Sequence, residues 1–231
     1  MNIIKYDSKI KEDLITIEED TIIYYLNTDA KISIKINKNV RICELFIDSI
    51  ISNTYDIYKE AVIERFNINS SINTDINLNH EYASVDYFYS CLNTDTNSYN
   101  ININHNSSNT KGKIINRGIN LKNERLDFVI NSIIPKDKYN CSSNQDSIII
   151  VMEDNNCSIK PNLIVDNYDV SASHSAYIGK FNEEKIFYLN TRGISRKNAL
   201  KIMAKAFLIS DRTFSLDIKN KVLEKINDYW R

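Results

Sequence analysis

From about Thr21 to Ile178 apolar and polar residues alternate almost one for one, with very little glycine or proline to interrupt them. Period two is the pattern of strands that bury one face, because successive side chains point to opposite sides. Ala30–Ile36 reads Ala-Lys-Ile-Ser-Ile-Lys-Ile, Asn100–Asn104 reads Asn-Ile-Asn-Ile-Asn, and Leu126–Ile134 follows the same rule. The spacing predicts further strands at Val40–Ile47, Val62–Ile68, Tyr82–Cys91, Lys113–Ile119, Ser147–Met152 and Asn162–Val165. The turns between them are built from Asn, Asp and Ser, which tolerate left-handed backbone and cap it with their own side chains. Short strands at intervals of about 8–12 residues allow a sandwich, a barrel or a β-helix. Stacked Ile and Val with Asn-rich turns suit a β-helix, where inward rungs of branched residues build one continuous core. No repeat of fixed length is visible, so the pattern alone leaves the three open.

After Gly193 the period changes. Ser195 suits an N-cap for a helix running to about Leu208, in which Leu200, Met203 and Phe207, joined by Ala199, Ile202 and Ala206, form a broad apolar stripe. Lys197, Lys201 and Lys205 fall on another face, by default a solvated one. A second helix, from about Ser215 to Trp230, carries Ile218, Val222, Ile226 and Tyr229 on one side. The break at Ser210–Thr213 makes these a helical hairpin, or two helices docked on the end of the β-unit. Neither is stable without burying its stripe.

The length of 231 residues suits one large domain or one domain with a small appendage, and 42% hydrophobic residues suffice for a sizeable core. The net charge is −1, yet Ser195–Arg231 holds nine Lys/Arg against four Asp/Glu. That excess is too mild for a nucleic-acid surface. Cys43, Cys91, Cys141 and Cys157 are widely spaced and form no CxxC. The N-terminus lacks the apolar core of a signal peptide, and no run approaches the roughly 18 apolar residues of a membrane span. The expectation is a cytoplasmic protein with reduced thiols, without membrane or nucleic-acid partners. No Gly-rich phosphate loop, HExxH or GxSxG occurs, so no nucleotide site or activated nucleophile is expected.

One block concentrates rare residues. Lys160–Ser195 contains the only histidine of the C-terminal half, two of four glycines and one of two prolines. Its Lys160, Pro161, Leu163, Val165, Asp169, Val170, Ser173, His174, Ala176, Gly179, Glu183, Glu184, Phe187, Tyr188, Leu189, Arg192, Gly193 and Ile194 match a KPxLxI strand, a D-V-x-x-S-H-x-A-x-x-G run, an acidic turn and an FYLxxRGI helix start. This pattern resembles the C-terminal signature of the SufB/SufD family of iron–sulfur cluster assembly scaffolds. A weaker echo is His105-Asn-Ser-Ser-Asn-Thr110, which resembles that family's H-x-x-x-N-T stretch. The likeness is dense over about Cys141–Leu208, thin over Asn100–Asn140, and upstream rests on strand texture alone.

The resemblance implies a mainly β protein: a right-handed parallel β-helix over residues 1–190, its first 20 or so peripheral, followed by a small C-terminal α-helical domain over 191–231. It implies a non-catalytic scaffold that pairs with a second SufB/SufD-type subunit, as a homodimer or a heterodimer. It also implies that a SufC-type ABC ATPase docks on the helices, with Arg192, Lys197, Leu200, Lys201, Met203 and Phe207 as docking candidates. A cysteine desulfurase or other sulfur donor is a further partner, and a transient iron–sulfur cluster the cargo.

His174 stands at the histidine of the D-type motif and is the candidate metal ligand, since neutral imidazole suits iron; the bland alternative is a hydrogen-bonded turn histidine. Cys141 and Cys157 are thiol candidates that stacked rungs, about 4.8 Å apart, bring near His174; the alternative is that both are small buried hydrophobes. His105 is either part of the assembly site or an exposed turn residue. Where B-type members carry a cysteine before Asp-Ser, this chain has Gln145, and Ser173 and Ser175 flank His174 without the B-type acid. The chain therefore looks D-like. Glu183 and Glu184 are read as a solvated turn, because adjacent carboxylates point apart. The rival classes are a polysaccharide-acting β-helix enzyme, which needs carboxylates converging on one face, and an accessory paralogue that binds no cluster.

Overall fold

The computed structural model describes residues 1–153, 156–209 and 216–230. In chain order its strands are β1 (Asn2–Tyr6), β2 (Ile10–Ile17), β3 (Thr21–Leu26), β4 (Asp29–Ile36), β5 (Val40–Ile47), β6 (Ile50–Ile57), β7 (Glu60–Ile68), β8 (Ser71–Leu78), β9 (Ser84–Asn93), β10 (Asn97–His105), β11 (Lys111–Asn120), β12 (Leu126–Ile134), β13 (Cys141–Val151), β14 (Ser158–Val165) and β15 (Val170–Gly179). Three helices follow: α1 (Glu183–Thr191), α2 (Arg196–Ile209) and α3 (Leu216–Tyr229). The odd strands form one sheet in the order β1-β3-β5-β7-β9-β11-β13-β15, and the even strands a second in the order β14-β12-β10-β8-β6-β4-β2. Every ladder is parallel. The chain thus winds as a coil, each rung giving one strand to each sheet. Of the three β architectures compatible with alternation, the parallel β-helix is the one adopted, and its first twenty residues form the outermost rung.

Corners turn where the sequence puts Asn or Asp. Asn27, Asp48, Asn69, Asn109 and Asn140 all hold positive φ, a conformation that short polar side chains tolerate. Each corner also bonds the rung above, as in Asn27 N–H to Ile47 O at 2.9 Å and Asp48 N–H to Ile68 O at 3.0 Å. The step between rungs is not constant. It is 21 residues from Glu44 to Arg65, 27 from Asn73 to Asn100 and 31 from Asn116 to Ser147. That drift is why no fixed repeat shows in the sequence.

Between the sheets lies a core of Ile32, Ile34, Ile36, Ile63, Ile76, Ile101, Ile103 and stacked rings. Tyr25 stacks on Tyr6 and Phe46 at centroid distances of 5.3 and 4.6 Å, and Tyr89 on Tyr99 at 3.8 Å. Towards the last rungs the interior becomes polar: Asn116 Nδ2 donates to Ser147 Oγ at 2.9 Å, and Gln145 Nε2 to Ser132 Oγ at 2.7 Å.

The outer faces differ. Odd strands carry a second apolar face (Ile22, Cys43, Leu45, Phe66, Leu92, Ile119), against which α2 packs Ala199, Ala204 and Leu208, and α3 packs Ile218, Val222 and Ile226. Polar ties pin the helices: Ser90 Oγ donates to Leu208 O at 3.0 Å and the Tyr229 hydroxyl to Leu121 O at 3.1 Å. The helices therefore lie along the flank of the coil, so of the two arrangements left open by the sequence, docking on its end is not the one adopted. The break at Ser210–Thr213 and the start at Ser215 lie outside the described residues. Even strands leave their outer face bare and bridge it with amide ladders. One runs Asn162 to Asn131 to Asn102 to Asp75, each Nδ2 donating to the preceding rung's Oδ1 at 2.7 Å.

Candidate functional site

The coil ends on an open rung. β15 pairs with β13 on one side only, so its residues are exposed on both faces, and β14 is half-buried inward and exposed outward. Register places Val170, Ala172, His174, Ala176 and Ile178 above Cys141, Ser143, Gln145, Ser147 and Ile149. Those five β13 residues are buried inside the coil. His174 therefore lies on the inward side of an uncapped rung, mid-strand and exposed, with Gln145 directly beneath it. It is not a turn histidine. Gln145, the position that in the sequence stands for the B-type cysteine, is the residue facing His174 across the rung. Its Nε2 donates to Ser132 Oγ and, at 3.2 Å, to Asn162 O, while its buried Oε1 has no protein partner among the described residues. Nothing local marks this pairing; it needs the 29-residue step that also joins Asn144 to Ser173.

Stacking does not bring the thiols to His174. Cys141 is level with Val170, four residues down the strand, about 13 Å away at the rise of a parallel strand. It is buried at the opposite corner, with its sulfur 3.3 Å from Thr110 Oγ1 and 3.5 Å from the carbonyls of Ser107 and Tyr139. Thr110 ties it to His105, which is fully buried at the end of β10 and not an exposed turn residue. Thr110 Oγ1 donates to Ser107 O at 3.0 Å, so His105 Nδ1, 2.8 Å away, is the donor to that hydroxyl. His105 Nε2 then faces Gly112, where an added Cβ would stand 3.6 Å away, in ordinary contact. Burial pushes the His105 pKa down to about 4, so the ring is neutral near pH 7. Cys157 lies at the other corner, half-buried just before β14, accepting from Asn120 Nδ2 at 3.3 Å, and burial raises its pKa. Of the four assembly candidates, His105 and Cys141 thus share one buried cluster, and His174 and Cys157 stand apart. Among the described residues no group of three His, Cys, Asp or Glu side chains is placed to hold a metal ion.

The helical candidates occupy a second surface. Asn182 caps α1, accepting from Lys185 N–H, and Glu183 and Glu184 fill its first helical turn. The solvated turn expected there is a helix start, because an Asn followed by two acids satisfies free N–H groups and the helix dipole. Glu183 joins α1 to α2 through two 2.7 Å bonds from Arg196. On α2, Leu200, Met203 and Phe207 are half-buried at the margin of the helix–sheet core, while Ile202 is exposed. Phe187 and Tyr188 of α1 are exposed beside them, and the Arg192 guanidinium sits over the Tyr188 ring at 5.4 Å. Glu184, Lys185, Tyr188, Leu189 and Met203 line a groove of about 380 Å³. Lys197 is exposed, and Lys201 and Lys205 are partly covered.

The class that the fold defines is a parallel β-helix with an open terminal rung and a helical pair packed on its flank. Comparison with known families gives that class a particular identity. The model described as "SUF system FeS cluster assembly, SufBD core domain" matches residues 50–207, and the chain belongs to this family. It is 35% identical over 69 residues to the iron-sulfur cluster assembly protein SufD of Escherichia coli (strain K12), covering 29% of this chain and 16% of that protein. It is 31% identical over 109 residues to the iron-sulfur cluster assembly SufBD family protein ycf24 of Galdieria sulphuraria, covering 45% of this chain and 47% of that one. The SufD of Plasmodium falciparum (isolate 3D7) is 42% identical over 57 residues, 24% of this chain and 4% of its own length. The chain thus spans less than half the length of these relatives. Among the described residues no helix is long and apolar enough to cross a membrane.

Proposed function

We propose that this chain is a non-catalytic scaffold of the SUF iron–sulfur cluster assembly machinery. In this reading it pairs with a second SufB/SufD-type subunit through its terminal rung. It carries a SufC-type ABC ATPase on the α1–α2 surface, so that ATP-driven motion supports assembly and transfer of a cluster. The observation that carries the reading is the placement of His174, inside the family-matched segment, on the open inward face of a rung paired on one side only. There an imidazole meets whatever closes the coil, and iron bound by it would be cargo shared between two subunits. The exposed Phe187, Tyr188 and Ile202 with the neighbouring lysines supply an apolar surface with a basic rim, which suits a protein partner.

The buried Cys141 and half-buried Cys157 favour a second reading, an accessory subunit that binds no cluster by itself. A sulfur donor reaches Cys157 more readily than Cys141. Anaerobic reconstitution with iron and sulfide separates these readings. The chain with its partner subunit is expected to develop visible cluster absorption that His174→Ala loses; absorption that the pair develops equally with His174→Ala supports the accessory role. Undiminished cluster yield and lifetime in His174→Ala would overturn the assignment of His174. Tyr188→Glu with Ile202→Glu is expected to abolish co-purification of the ATPase while leaving the β-sheet signal in circular dichroism intact.

A further inference from the structure

Buried polar atoms without a hydrogen-bond partner are rare in folded proteins, and each asks for an explanation. Gln145 Oε1 is such an atom. The amide cannot be turned over to hide it. Nε2 lies 3.2 Å from the backbone carbonyl of Asn162 and 2.7 Å from Ser132 Oγ. A carbonyl only accepts, so the amide nitrogen is fixed on that side and the oxygen on the other. Below Gln145, Ile114 offers no side-chain donor. Ser143, on the same strand, spends its proton on Ser132 Oγ at 2.8 Å. Ser147, two residues along the strand, stands ~6.6 Å away, backbone to backbone. His174 stands directly above, one ladder step or ~4.8 Å away.

β15 is tied so that this register does not slip. Both serines that flank His174 are bonded to the rung beneath. Asn144 Nδ2 donates to Ser173 Oγ at 2.9 Å, and Ser175 Oγ donates to Asp146 Oδ1 at 2.6 Å. The Arg117 guanidinium of β11 meets the same Asp146 carboxylate, so the second tie spans three rungs. A slip of one residue would turn His174 to the outer face, and both ties oppose it. The strand therefore keeps the imidazole over Gln145 with nothing above it.

We propose that Gln145 is a positioning residue for His174: its Oε1 accepts the Nδ1 proton of the imidazole and leaves Nε2, at the tip of the ring, bare towards the junction. This rests on the reading of His174 as the group that meets iron cargo, and specifies how that ring is held. A neutral imidazole has one N–H and one lone pair, and the partner of the N–H sets which nitrogen can ligate. Nδ1 adjoins the Cβ–Cγ bond, close to the strand and to the buried oxygen, whereas Nε2 projects away from both. The bond needs only a turn of the ring about its side-chain torsions, since the two backbones already stand in register. Metal-ligating histidines usually donate their other N–H to an oxygen, which fixes the ring. Here the oxygen belongs to an uncharged amide, a weaker acceptor than a carboxylate. Such a partner aims the ring without tightening its hold on iron, which suits cargo that has to leave.

The test reads the ring first and the cargo second. Proton–nitrogen correlation spectra of the isotope-labelled chain alone, in mildly alkaline solution, report which ring nitrogen carries the proton. The His174 signals are assigned by their absence in His174→Ala. The Nδ1–H form is expected to predominate in the parent protein. Gln145→Met fills the same space without an acceptor and should revert to the Nε2–H form that prevails in free imidazole side chains. Gln145→Glu keeps an oxygen in place and should restore Nδ1–H. A merely structural role for Gln145 would not move this signature, and unchanged circular dichroism and His105 ring signals show that the variants are folded. In anaerobic reconstitution with the partner subunit, Gln145→Met is expected to shorten cluster lifetime roughly tenfold and Gln145→Glu to recover it. The Nε2–H form in both the parent protein and Gln145→Met overturns the proposal. So does a cluster lifetime that His174→Ala shortens and Gln145→Met leaves intact. A lifetime that His174→Ala itself leaves intact sinks the reading of His174 and not the hydrogen bond, because the tautomer is read without iron or partner.

Discussion

Arg65 is the largest fully buried side chain among the described residues, and its charge is met inside the coil. Its Nε donates to Glu44 Oε2 at 2.5 Å, and its Nη1 donates to Thr74 Oγ1 at 2.6 Å and to the Tyr87 hydroxyl at 3.0 Å. The Tyr55 hydroxyl lies 2.7 Å from both Glu44 oxygens. The guanidinium is flanked by the rings of Phe46, Tyr55 and Tyr87 at 5.0–5.3 Å. Removing one member strands a buried charge, which typically costs about 3–5 kcal/mol, whereas replacing both by apolar residues is often neutral. Arg65→Met is therefore expected to lower the urea midpoint sharply, and Glu44→Leu with Arg65→Met to recover much of it. A double variant as weak as the single one would show that the pair, and not the lost charge balance, carries the stability. Both residues occupy inward places in otherwise apolar alternation, Val40-Ile42-Glu44-Phe46 and Ala61-Ile63-Arg65. Alternation tells which face they take. It does not tell that they meet, because that depends on the register between β5 and β7.

At the level of elements, the two sheets solve different problems. Even strands alternate cleanly because one face meets water, and their amide ladders bond rung to rung. Odd strands such as β5 run nearly buried throughout because α2 and α3 cover the other side. Leu208 is buried in that second core, so Leu208→Ala is expected to cost about 2–5 kcal/mol. The loss should appear first as protease sensitivity of α2 and α3 while the strand signal persists; simultaneous loss of both would mean that helices and coil unfold as one unit. The expected strands and the helix capped by Ser195 were legible from period and capping: Asn198 N–H meets Ser195 Oγ at 3.4 Å. α1 was legible in its cap but hidden by its acids, since Asn182-Glu-Glu reads equally as a turn until Ile186 is seen to need burial.

Across the whole molecule, stability is carried by neighbouring rungs, as in other solenoids. The rungs at the two ends have one neighbour where β7 and β9 have two, so amides of β1 and β15 should exchange with solvent faster than those of β9, and a capping subunit should slow β15 selectively. Uniform exchange along the coil would argue that it opens all at once. The alternation and the His174 motif made the architecture and one end of the site readable. The His105–Thr110–Cys141 cluster and the facing of Gln145 with His174 were not, because steps that grow from 21 to 31 residues hide which side chains share a level.

The attachment of the helices along the flank has a mechanical corollary. α2 is tied by Ser90 to β9, and α3 by its Asp217 to Tyr24 of β3 and by Tyr229 to Leu121 beyond β11. A pull applied to this pair is received by several hydrogen-bonded ribbons at once, and reaches the last level as a slide of one ribbon past the next and through the short link from α1 back to β15. A motor fixed there would work the junction by shear through the stack, with no swinging arm between engine and seam.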